Sequence, residues 1–185
     1  MNTQNKNVLI GGLLAIVFVM AVGYAAFATQ LNINGTANIT STWKVNFDSS
    51  KKTGAGVVDV TSGGSETPIG SISYADSDQT ANLTANLKQP GDQVKFTLTI
   101  QNTGTLAATL TTPTMSSEDE DMECAGSTCT KGNIQFTMGS LSTTSLPAES
   151  GTATITVTAS FIGSPVSTTG TETGSIKINF TANQA

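Results

Sequence analysis

Residues 151–161 read GTATITVTASF, with an apolar residue at every second position from Ala153 to Phe161 and threonine or serine between them. Only extended backbone sends successive side chains to opposite sides, so this period of two commits the segment to a half-buried strand. The pattern recurs in QVKFTLTIQN (93–102), where Val94, Phe96, Leu98 and Ile100 share a face. It returns more briefly in SISYAD, in TANLTANLK with Leu83 and Leu87 on one face, and in TLAATLTT, NIQFTM and SIKINFTAN. In WKVNF (43–47) it directs Trp43, Val45 and Phe47 inward. Threonine, 32 of the 185 residues, reinforces the reading, because branched side chains fit a pleated surface better than a helix.

Turn signals separate these runs: PGD at 90–92, NTG at 102–104 and LPAESG at 146–151. A polar stretch from Asp48 to about Gly70 holds one short apolar piece, GVVDV. No helical period follows Ala28 and no internal repeat is present. The expected fold is all-β, a jelly-roll or Ig-like sandwich over residues 29–185, preceded by an N-terminal hydrophobic signal helix.

That helix comes from the one strongly apolar segment. MNTQNKN supplies Lys6 and the α-amino group as a weakly positive start, and VLIGGLLAIVFVMAV (8–22) forms a hydrophobic core. Ala26-Phe27-Ala28 then makes a small-residue cleavage site, so that signal peptidase would release a mature chain beginning at Thr29. Two alternatives stand beside cleavage. Residues 8–28 are about long enough for an uncleaved membrane anchor. A type IV pilin would keep its apolar helix, but Gly11 and Gly12 lie inside the run and no glutamate follows. Each reading exports the domain, with membrane contact only through the N-terminal segment.

Directly after the leader, QLNINGTANI (30–39) alternates again, with Leu31, Ile33, Gly35, Ala37 and Ile39 on one face. The leader ending Ala-x-Ala, this immediate strand, and PGDQVKFTLTIQNTGTLAATL at 90–110 together resemble the TasA/camelysin family of secreted biofilm-matrix proteins. Jelly-roll subunits of archaeal bundling pili are similar. The GTLDL-like segment common after that family's leader is replaced here by INGTANITSTWKVNF. The resemblance implies a fibre subunit whose first strand is donated to the next copy, making the chain its own partner in a homopolymer. The physics permits this, since an incomplete sheet exposes backbone groups that an extended segment can satisfy. A head-to-tail contact of this kind is open-ended and yields filaments. The same alternation would equally serve an ordinary first strand paired within its own domain.

Other clusters invite sharper readings. SSEDEDMEC packs Glu118, Asp119, Glu120, Asp121 and Glu123 into six positions. Clustered oxygens suit calcium, the one cofactor the sequence brings to mind, yet the spacing is not an EF-hand and a solvated loop is the plainer reading. Cys124 and Cys129, the only cysteines, fit one local disulfide in an oxidising exterior. Asn34, Asn38, Asn82 and Asn179 begin N-x-[ST] sequons, matches that a threonine-rich chain also generates by chance. LPAES lacks the apolar tail of a sortase signal, and nothing in the spacing of Lys44, Lys95 or Lys177 favours an isopeptide bond.

The composition argues against several classes. A net charge of −5, with lysine as the only base, is unsuited to nucleic acid. The absence of histidine removes the commonest general base and zinc ligand, so the peptidase label attached to camelysin finds no H-E-x-x-H here. No G-x-S-x-G elbow is present either. The expectation is a structural protein rather than an enzyme. The competing reading is a monomeric, secreted or anchored binding module.

Overall fold

A computed structural model of the protein describes residues 3–27, 40–163 and 171–185. Two compact units result, Met1–Ile39 and Thr40–Ala185. The first contains α1 (Thr3–Phe27). Its apolar side chains from Val8 to Met20, where described, stand more than half exposed. Among the described residues no helix is long and apolar enough to cross a membrane.

The second unit is all β. Its strands are β1 (Val45–Phe47), β2 (Val58–Thr61), β3 (Ile69–Ala75), β4 (Thr80–Leu87), β5 (Gln93–Asn102), β6 (Ala108–Leu110) and β7 (Thr114–Ser116). They continue with β8 (Glu123–Ala125), β9 (Thr128–Lys131), β10 (Ile134–Met138), β11 (Ser145–Leu146), β12 (Gly151–Phe161), β13 (Glu172–Asn179) and β14 (Ala182–Gln184). A larger sheet runs β1-β5-β12-β10-β9-β8, with β2 also paired to β5. A four-stranded sheet runs β3-β4-β13-β7, and a small third sheet runs β11-β6-β14. All pairings are antiparallel, and the whole is sandwich-like.

The alternating sequences dictate this arrangement. β5 and β12, the two most regular runs, pair over ten positions from Gly151↔Asn102 to Ser160↔Gln93. The register sets apolar on apolar, Ile155 opposite Leu98 and Val157 opposite Phe96, and threonine on threonine, Thr154 opposite Thr99 and Thr156 opposite Thr97. Such matched cross-strand pairs stabilise a sheet by roughly 0.2–1 kcal/mol each. The inward faces of both large sheets join one core, in which Phe47, Phe96, Phe136, Leu83, Leu87, Ile155 and Ile176 are fully buried. Gly70 marks a point of close approach. A Cβ there would lie 2.3 Å from Val94 Cγ1 and 3.0 Å from Val58 Cγ1, so only glycine lets β3 settle on β5 and β2.

One expectation needs correction. Trp43 is not inward but 44% exposed, whereas Val45 and Phe47 are buried as the alternation required. Pairing of β1 with β5 begins only at Val45↔Asn102. Residues 42–44 run past the end of β5 beside a turn, where the Thr105 N–H donates to Thr42 O (2.9 Å) and the Thr103 N–H to Lys44 O (3.0 Å). In the polar stretch after Asp48, the short apolar piece GVVDV supplies most of β2.

Candidate assembly surface

The structure distributes the sequence-predicted residues unevenly. Ala26 falls within α1, while Ala28 and Thr29 of the cleavage site lie outside the described residues. So do the whole alternating face of Leu31, Ile33, Gly35, Ala37 and Ile39 and the sequons at Asn34 and Asn38. Description of the β unit begins at Thr40, which is exposed.

Cys124 and Cys129 form the expected disulfide, joining directly opposed positions of β8 and β9. The acidic run is the loop that leads into this hairpin. The Ser117 hydroxyl donates to Ser175 O (2.8 Å) and accepts the Asp119 N–H (3.1 Å). The Asp119 carboxylate accepts the Asp121 N–H (3.1 Å). Lys131 Nζ lies 2.5 Å from Asp119 Oδ2 and 3.9 Å from Asp121 Oδ2, and Lys177 pairs with Glu118. The hydrogen bond from Lys131 holds the Asp119 carboxyl below its ordinary pKa, and the same contact raises that of Lys131. Three of the five carboxylates are thus engaged by lysines. Among the described residues no cluster of three or more acids or cysteines is disposed to hold a metal ion.

The sequon residues Asn82 and Asn179 sit on the outer surface of the four-stranded sheet. Asn82 on β4 stands opposite Ser73 of β3 and Lys177 of β13. The Asn179 side-chain oxygen accepts a hydrogen bond from the Thr80 hydroxyl (2.8 Å). Lys44 and Lys95 are exposed.

Two polar residues that the sequence had marked only as turn positions prove structural. Asp92, in PGD, is fully buried and accepts backbone N–H groups from Gly63 (2.8 Å), Lys88 (2.8 Å) and Gln89 (3.2 Å). Burial pushes its pKa up, but these donors and the Gln89 side chain prevail and hold it below the ordinary value. Gly63 permits the contact, since a Cβ there would lie 2.0 Å from Pro90 O. Asn102, in NTG, is also fully buried; its amide donates to Leu106 O (2.8 Å), Pro147 O (3.1 Å) and Leu146 O (3.2 Å). An Asp or Asn within two residues of a glycine in a turn signal is the only trace either residue leaves in sequence.

The sheet edges remain. β7 and β8 have three residues each; β7 runs into the acidic loop, and β8 carries Glu123 and the disulfide. β1 and β2 have three and four residues, and β2 bears Asp59. β3 differs: its seven residues, IGSISYA, contain no charge and no proline. Near its end Tyr74 packs on Phe47, with ring centroids 5.5 Å apart, and donates to Lys51 O (3.0 Å). Burial, aided by Asp48 and Asp78, pushes the Tyr74 pKa up to about 12. β3 thus presents a seven-residue sheet edge without charge or proline. Searches of family models, of characterised proteins and of solved structures returned no match to this chain.

Proposed function

We propose that the chain is the structural subunit of an extracellular filament, a jelly-roll-type domain exported by its N-terminal leader and polymerised by a donated N-terminal strand. One observation carries the reading. Directly after the leader, segment 30–39 alternates with Leu31, Ile33, Ala37 and Ile39 on one face, the pattern of a strand that can add to the open sheet edge of another copy. The resemblance to TasA/camelysin proteins adds support, and its 90–110 stretch corresponds to β5, β6 and the turn between them. The partner is the chain itself, and processing by signal peptidase would time assembly by freeing the strand.

Electron microscopy of two proteins, one beginning at Thr29 and one at Thr40, tests the reading. Filaments from the first and a folded monomer from the second are expected. Monomers from both, or unfolding of the shorter chain, would return the strand to its own domain and leave a secreted binding module.

A further inference from the structure

The filament reading requires an acceptor, and the sheet edges differ enough to choose one. β3 is the only long edge among the described strands that lacks the usual protections of charge, proline and brevity. Its backbone is open as well. Apart from Ala75 O, which accepts the Gln79 N–H in the turn to β4, no described backbone group bonds to it outside the β3–β4 ladder.

The surface beside that edge is apolar. Val60 pairs with Val94 and Val58 with Phe96, so both valines lie on the core-facing side of the larger sheet. Yet Val60 is 44% exposed and Val58 only partly buried, because the four-stranded sheet stops at β3. These core-facing side chains lie in solvent beside the β3 edge, with room for one more strand above them.

We infer that segment 30–39 of a second copy of this chain adds along the outer edge of β3, as a fifth strand of that sheet, and covers Val58 and Val60. The inference rests on the filament reading. The segment's length suffices: ten residues extend over about 33 Å, against about 23 Å for the seven of β3. Its apolar face of Leu31, Ile33, Ala37 and Ile39 would meet Ile72 of β3 and the two valines. Gly35 lies mid-segment on that face, the residue type already used at Gly70 where the sandwich closes on Val58.

The test uses the full-length chain, expressed with its leader in an exporting bacterial host, with a photo-cross-linking residue at Val60 or, as a control, at Thr154. Irradiated filaments are expected to yield a two-chain product joining position 60 to a peptide within 30–39, and none from position 154. Val60→Lys should raise the concentration needed for assembly roughly tenfold or more by setting a charge in the seam. Val60→Ile should assemble normally, and thermal melts should show both variants folded. Filaments that form with Val60→Lys, or that cross-link position 60 to another segment or within one chain, would overturn the β3 assignment and leave the filament reading standing. If no filaments form at all, both fall.

Discussion

Asp92 shows how one side chain closes a long loop. Its carboxylate gathers three N–H groups from Gly63, Lys88 and Gln89, tying the 62–64 loop to the β4–β5 turn. Hydrogen bonds to a buried charged acceptor contribute about 1.5–3 kcal/mol, and an orphaned buried donor costs a similar amount. Asp92→Asn replaces one acceptor oxygen by a donor that faces donors. It should lower stability at neutral pH by about 2 kcal/mol, as read by urea unfolding. The pH dependence has a definite sign. The folded pKa is depressed, so the stabilisation is complete above the unfolded value of about 4 and is lost as pH falls through the lower folded value. The gap between wild type and Asp92→Asn should therefore narrow at about pH 3; a constant gap would mean that the charge is not what holds the loop.

At the scale of elements, legibility followed length. β5 and β12, ten and eleven residues, carry enough alternations that their faces can be read directly. β7, β8, β9, β11 and β14, two to four residues each, were not anticipated, and β8 shows why: ECA is exposed at all three positions and so has no buried face to leave a pattern. Its place comes from pairing with β9 and from the disulfide. That crosslink closes a short loop, and its contribution should be about 2 kcal/mol at most. Reduction should thus lower the unfolding midpoint modestly. Faster amide exchange should be confined to about residues 117–131, with β5 and β12 unaffected. Loss of protection across β5 and β12 would show instead that the hairpin holds the whole sheet. Trp43 marks the opposite limit: alternation tells which way a side chain points but not where the sheet beneath it ends.

For the whole molecule, the sandwich class was readable because the period of two persists through most of the chain. The candidate assembly surface was not. Nothing in SISYAD reveals that one of its flanks has no neighbour; that follows from strand order, which is set by pairings far apart in sequence, such as β4 with β13. The exposure of Val60 is equally non-local, arising because one sheet extends beyond the other.

On the filament reading, the exposed Trp43 gives the molecule an optical clock. It is the chain's single tryptophan, and it stands three residues beyond Thr40, where the donated segment would enter the domain. An indole in water emits at longer wavelength than one in an apolar contact. Each joining event would press this ring against a neighbouring copy, so emission should move to shorter wavelength in step with polymer mass for the chain beginning at Thr29. It should stay constant for the chain beginning at Thr40. Filaments that grow with no change in colour would place the ring in solvent along the polymer's surface.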